Sequence, residues 1–342
     1  MLMKELTENQ QKVYEAIKAE SNTIDKLVET TGLSKGKITG TITSLLKSNS
    51  IHKSEDGSYA VSHISNDAES LPSEKRENEI SPQDVRLSLV IPYLKSEASG
   101  EELKYALRSI EKNLKVDVRV VIVGDKEDWF SPEIVHIPHE PYLIKEDCDC
   151  PAPSMVKNPQ ADVTHKLFMA IASGEVTGNF ILSNDDIFLL GPTLLSDIEV
   201  LKAFGTLEKG GKVGGTYNQN SKRTANVLEK NGLPIHRYGT HTPMLLNAEE
   251  LIEIIERYNA LEKGYLLTSL YFNEKYPDAR PLQVDGTAKD PILGSAYRSD
   301  IPKDLLENVF RSRKFLNCDS KGWTAVKPLL ETVFSKPSVY EL

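Results

Sequence analysis

The segment Ile181-Leu182-Ser183-Asn184-Asp185-Asp186-Ile187-Phe188-Leu189-Leu190 sets two adjacent acids between apolar runs. Apolar residues on both sides read as buried β-structure, where an unpaired carboxylate is costly. Two neighbouring carboxylates also raise each other's proton affinity unless something positive lies between them. A divalent cation answers both problems. The chain has no Walker-type Gly-Lys-Ser/Thr loop to cradle phosphates, so a diphosphate would be gripped through the metal. Mg²⁺ and Mn²⁺ suit this task because they take few carboxylates and complete their shells with water and phosphate oxygens. Such an ion would act as a Lewis acid on a departing nucleoside diphosphate. The plainer reading of Asp185 and Asp186 is a pair of acids capping a turn.

Other residue types in the chain can do related chemistry. His241, in Tyr-Gly-Thr-His-Thr-Pro, is a neutral imidazole among small and β-branched residues, where a third metal ligand would suit, although a lone histidine is more often structural. Asp285 and Asp290, in Gln-Val-Asp-Gly-Thr-Ala-Lys-Asp-Pro, are loop carboxylates, either of which could serve as a catalytic base. Lys166 could meet a phosphate or simply face solvent. Tyr93 and Trp129 could stack on a base or sugar, or pack. Cys148, Cys150 and Cys318 lack zinc-site spacing and read as reduced thiols.

The elements that must position these residues follow from the apolar pattern. Residues 85–94 and 118–125 read as strands, the second ending in Asp125. Residues 100–114 form an amphipathic helix with Leu103, Leu107, Ile110 and Leu114 on one face, and 163–176 form another. Residues 179–190 read as a third strand carrying the acids. Strands alternating with helices predict a parallel α/β sheet, whose ligands bind beyond the carboxyl ends of the strands. Tyr93, Asp125 and Asn184-Asp185-Asp186 all fall at such ends.

The first 61 residues have a different texture. Thr7 and Gln10 stand in capping-box spacing ahead of an apolar stripe of Val13, Tyr14 and Ile17. Two further short helices flank Gly32 and Ser34, and a two-stranded hairpin turns at Asp56-Gly57. The order of three helices followed by a two-stranded wing resembles the winged helix-turn-helix family. That resemblance implies a third helix in the DNA major groove, presenting Lys35, Lys37, Thr39, Thr41 and Thr43, with Lys53 on the wing. Protein contact or dimerisation is the alternative use. Residues 62–84 are polar and acidic and read as a flexible linker, leaving 85–342 as the main domain.

The bulk numbers narrow the class. The chain has 342 residues, 39% of them hydrophobic and 27% charged, with net charge −9 and a pI near 5.4. It is therefore not basic throughout, and any nucleic-acid contact must come from a local patch. Residues 1–61 are neutral, while 62–84 carry a net charge of −4. No apolar run approaches the ~20 residues of a membrane span, and the N-terminus has no signal-peptide core. The expectation is a cytoplasmic protein, in a bacterial cell or a phage-infected host.

Five blocks carry a more specific resemblance. They are Ile91–Leu114, Val118–Phe130, Phe180–Pro192, His241–Tyr258 and Arg313–Ser320. In this order they are similar to nucleotide-sugar transferases of the A-type fold, and look most like the Stealth group of sugar-phosphate transferases, over most of residues 86–320. The family's usual Trp-Val-Asp-Gly opening is replaced here by Ile91-Pro92-Tyr93, which is closer to ordinary glycosyltransferases.

The resemblance implies a fold and a site. The fold is a Rossmann-like mixed sheet, preceded here by the small winged helix domain. Asn184, Asp185, Asp186 and His241 would hold Mn²⁺ or Mg²⁺, and Tyr93, Arg108, Asp125 and Lys166 would lie near the nucleotide-sugar donor. Asn317 and Asp319 would complete the site. Arg108 reads equally well as an ion-pair residue. The expected function is transfer of a sugar to an acceptor hydroxyl, the DNA-binding unit suggesting a hydroxymethylated base in DNA. The alternatives are sugar-1-phosphate transfer to a glycan and a nucleotide-sugar-sensing DNA-binding regulator without turnover.

Overall fold

A computed structural model describes residues 7–19, 22–47, 51–53, 58–61, 86–146, 152–207 and 215–342. The acidic segment 62–84, the Asp56-Gly57 turn, Cys148 and Cys150, and the side chains of Thr43 and Lys53 lie outside the described residues. The chain divides into two compact units, Met1–Val85 and Arg86–Leu342.

The first unit has helices Glu8–Lys18, Ile24–Thr31 and Lys35–Lys47 and an antiparallel pair of strands, Ile51–Lys53 and Tyr59–Val61. Thr7 and Gln10 cap the first helix reciprocally, satisfying backbone N–H groups that the helix leaves open. Gly32 ends the second with φ 66°, a left-handed conformation that costs glycine little. Val13, Leu27, Ile38, Leu45 and Ile51 close one small core. On the third helix Lys35 and Lys37 are exposed and Thr39 is half-buried, with the Thr39 hydroxyl donating to the Lys35 carbonyl at 2.9 Å.

The second unit is a mixed α/β structure. Its main sheet uses β1 (Leu87–Tyr93), β2 (Val118–Gly124), β3 (Ile134–Pro138), β4 (Asn179–Leu182) and, from later in the chain, Met244–Asn247. The spatial order is Met244–Asn247, β4, β1, β2, β3. The four numbered strands are parallel, and the edge strand Met244–Asn247 runs antiparallel to β4. The alternating period of the strands sorts their side chains into two layers. Val90, Val121, Val123, Phe180 and Leu182 face one core, shared with Leu167 and Phe168 of helix Pro159–Ala172. Leu89, Ile91, Val120, Ile122 and Ile181 face another, shared with Leu103, Leu107 and Ile110 of helix Glu102–Asn113. Burial on both faces explains why these strands read as nearly continuous apolar runs.

Residues 179–190 do not form one strand. The chain leaves the main sheet after Leu182 and resumes as β5 (Ile187–Leu189) in a second, three-stranded sheet. There β5 is antiparallel to β7 (Phe315–Cys318), which is in turn parallel to β6 (Leu293–Ala296). The acids occupy the step between the sheets, where their side chains need not enter a ladder packed on both faces.

Candidate active site

The carboxyl ends of β1, β2 and β4 converge. Tyr93 pairs with Gly124, and Val90 with Leu182. Gly124 has φ 138°, and a Cβ there would stand 1.8 Å from the Tyr93 carbonyl oxygen and 3.4 Å from Lys166 Cε. Only glycine lets this strand end, its neighbour and the lysine stem approach so closely. Lys166 is buried, and its ammonium pairs with Asp162 at 2.8 Å. Asp162 also accepts the Tyr142 N–H at 2.8 Å. Beside this pair, His139 and His165 share a 2.7 Å hydrogen bond. Burial, and then the neighbouring His139, push His165 down to about 4, and burial lowers the proton affinity of His139 as well.

Asp185 and Asp186 lie half-buried in the step after β4. Both are held well above the ordinary carboxylate range, chiefly by burial. For Asp185 the next cause is the charge of Asp186, while Lys166 pulls the other way. For Asp186 a hydrogen bond from Asn317 partly offsets the burial. Asn317 Nδ2 donates to Asp186 Oδ2 at 3.4 Å, and Asn317 Oδ1 accepts the Tyr297 hydroxyl at 2.7 Å. The remaining oxygen, Asp186 Oδ1, is buried without a hydrogen-bond partner. Glu102 adds negative potential to both acids. One of its oxygens accepts the Ser99 N–H at 2.9 Å, and the other is buried and unpartnered.

Two more unpartnered polar atoms belong to this edge of the sheet. Ser183 Oγ is one and His241 Nδ1 is the other. Met244 pairs with Leu182 in the antiparallel register, so residues just before Met244 leave the sheet at the edge where Ser183–Asp186 do. His241 has φ 48°, an uncommon backbone conformation for a non-glycine residue. Burial, and then Arg237, lower its proton affinity, which leaves a neutral imidazole. Most buried polar groups in proteins are paired, so a group of orphans at one sheet edge signals a missing partner.

The donor chemistry suits a hard cation. Two carboxylates, one with a free oxygen, match an ion that keeps water or phosphate in the rest of its shell. Among the described residues, no group of three or more His, Cys, Asp or Glu side chains is placed to hold a metal.

The other expected site residues are distributed as follows. Asp125 Oδ2 accepts the Lys95 N–H at 2.7 Å and so shapes the loop after β1. The Tyr93 hydroxyl donates to Glu127 at 2.7 Å, and burial and Glu127 hold that phenol above its ordinary range. Tyr93, Lys95, Gly100, Glu127 and Trp129 line a groove of about 400 Å³ beside the strand ends. Arg108 lies elsewhere. Its guanidinium makes a two-pronged pair with Glu341 at 2.7 and 2.6 Å and donates to the Phe334 carbonyl at 3.1 Å, so the ion-pair reading describes it.

Asp290 is buried and fully engaged. Its carboxylate accepts four backbone N–H groups, from Asp285, Gly286, Ile292 and Leu293. It is a loop scaffold rather than a presented base. Asp285 is exposed and accepts the Thr287 N–H at 2.9 Å. Asp319 is the N-cap of helix Ser320–Val333. Cys318 is buried beneath the acids, and its thiol is pushed up first by burial and then by Asp186 and Glu102. Glu102 and Tyr297 escape sequence reasoning, because one reads as the polar face of a helix and the other as a residue of a polar loop.

No protein-family model matches the chain, and no curated protein matches it.

Proposed function

We propose that this chain is a divalent-cation-dependent glycosyltransferase of the A-type fold, carrying a sugar from a nucleotide-sugar to an acceptor hydroxyl. The observation that carries this reading is the half-buried Asp185–Asp186 pair at the carboxyl ends of the parallel strands, with Asp186 Oδ1 buried and unpartnered. In transfer, the bond between the sugar carbon and the diphosphate oxygen breaks. A new bond forms to the acceptor oxygen, the nucleoside diphosphate leaves, and the acceptor proton is released. Asp185 and Asp186 would hold Mn²⁺ or Mg²⁺, which when bound supplies Lewis-acid stabilisation of the departing diphosphate. Lys166 adds positive potential beneath the pair. The groove lined by Trp129 offers aromatic surface next to the strand ends for the donor.

The first unit reads as a winged helix that brings the enzyme to DNA through Lys35, Lys37 and Thr39 and the wing residue Lys53. The acceptor that fits this pairing of domains is a hydroxymethylated base, reached by flipping or from a groove edge. The test incubates the full chain with Mn²⁺ and a panel of nucleotide-sugars, with and without hydroxymethylated DNA, and follows nucleotide release. Diphosphate release stimulated by that DNA, and lost in Asp186→Ala, supports the proposal. Monophosphate release would replace it with sugar-phosphate transfer, and transfer to free saccharides alone would remove the DNA acceptor. Ligand binding without turnover across the panel would leave a DNA-binding sensor.

A further inference from the structure

Tyr297 stands on the lip of the carboxylate site, in a backbone that two close approaches hold in place. It directly follows β6, whose Ser295 and Ala296 pair with Asn317 and Cys318 of β7. Gly286, at φ 66°, sits so close that a Cβ there would fall 2.1 Å from Ser295 Oγ. Gly322, in the first turn of helix Ser320–Val333, sits so close that a Cβ there would fall 1.7 Å from the Ala296 carbonyl oxygen. The four N–H bonds of Asp290 fold the loop that carries Gly286. The cap made by Asp319 begins the helix that carries Gly322. Asp290 and Asp319 thus shape the two segments packed against Ser295 and Ala296, the residues just before Tyr297.

The side chain of Tyr297 faces two ways. Its hydroxyl donates to Asn317 Oδ1 at 2.7 Å. An amide whose oxygen is taken in this way must turn its NH₂ to the opposite side, and there Asn317 Nδ2 meets Asp186 Oδ2. That leaves Asp186 Oδ1 as the open oxygen. Yet Tyr297 as a whole is 44% exposed, an unusual degree for a tyrosine whose hydroxyl is tied to a buried amide.

We propose that Tyr297 is the positioning residue of this site, its hydroxyl setting the Asn317 amide and thereby Asp186, and that its open ring is the platform for the acceptor's ring. This rests on the transferase reading above. Aromatic faces hold a displaced base by stacking, with little dependence on the base's identity, so the acceptor class it fits is a hydroxymethylated pyrimidine out of its stack.

The two functions of the side chain separate in Tyr297→Phe and Tyr297→Ala. Phenylalanine keeps the ring and loses the hydroxyl, and alanine loses both. Mn²⁺ affinity of the full chain is read from the electron paramagnetic resonance of free Mn²⁺, and acceptor KM from transfer to a hydroxymethylated oligonucleotide at saturating Mn²⁺. Loss of one hydrogen bond that orients the amide should weaken Mn²⁺ by roughly three- to tenfold in both variants. Acceptor KM should hold in Tyr297→Phe and rise about tenfold or more in Tyr297→Ala, with Tyr297→Phe melting only a few degrees below wild type. Wild-type Mn²⁺ affinity in both variants, or an equal rise of acceptor KM in both, would overturn the inference while leaving the transferase intact. Failure of the wild-type chain to bind Mn²⁺ would overturn the transferase reading and this inference with it.

Discussion

Replacing Asp186 by asparagine should stabilise the α/β unit while abolishing transfer. Asp185 and Asp186 both hold their protons more tightly in the folded chain than an ordinary carboxyl does, first because they are buried. A raised folded-state pKa means that the pair costs nothing below the unfolded value, near 3.9 for an aspartate. The cost grows as pH rises towards the folded value and stays constant above it. Each tenfold rise in proton affinity costs about 1.4 kcal/mol once the group would otherwise be ionised, so a neutral amide at Asp186 should be stabilising at pH 8 by an amount on the order of a few kcal/mol. Asparagine can still accept from Asn317 through its own oxygen, which keeps the 3.4 Å contact of the native site.

The assay is urea unfolding of wild type and Asp186→Asn at pH 5 and pH 8, without divalent cations. The variant should be the more stable at pH 8, and its advantage should shrink at pH 5. Adding Mn²⁺ at a hundredfold excess over Kd should return about 2.7 kcal/mol to the wild type and little to the variant. A variant no more stable than wild type at pH 8, or a stability difference that does not change with pH, would refute the electrostatic reasoning.

Arg108→Ala should cost about 3 kcal/mol, because it strands Glu341 in a pair whose side chains are only 14% and 6% exposed. Mn²⁺ affinity should not change, and calorimetric melting together with an Mn²⁺ titration checks both statements. Asp290→Ala should cost on the order of 2–4 kcal/mol, because four backbone N–H groups lose their acceptor. Burial raises the pKa of Asp290, but those N–H groups outweigh it and hold the net value low. The stabilisation is therefore present above the unfolded pKa and lost as pH falls through the folded one, and acid unfolding of Asp290→Asn should be correspondingly flatter. Gly124→Ala should destabilise by more than about 3 kcal/mol, since its Cβ would collide with the Tyr93 carbonyl. Circular-dichroism melting measures that loss.

Much of the scaffold is legible without coordinates because it rests on local periodicity. Alternation along Leu89-Val90-Ile91 assigns side chains to two layers, and the spacing of Leu103, Leu107 and Ile110 assigns one helix to the second of them. The Thr7–Gln10 cap and the Gly32 stop are equally local. The acidic pair is visible too, since two charges inside an apolar run conflict with their surroundings.

Only the tertiary structure decides which distant group each polar side chain meets. Arg108 reads alike as a donor contact or an ion-pair partner until Glu341, at the far end of the chain, takes both its prongs. Asp285 and Asp290 are indistinguishable as loop acids until four N–H groups converge on one of them. Residues 179–190 look like one strand, but the second sheet captures their later half through Phe315–Cys318. Tyr297 and Glu102 carry no signal in their own neighbourhoods. Apolar burial depends on which face a residue occupies, and spacing encodes that face. A hydrogen bond or ion pair also needs its partner's position in space, and that is set by packing between segments remote in sequence.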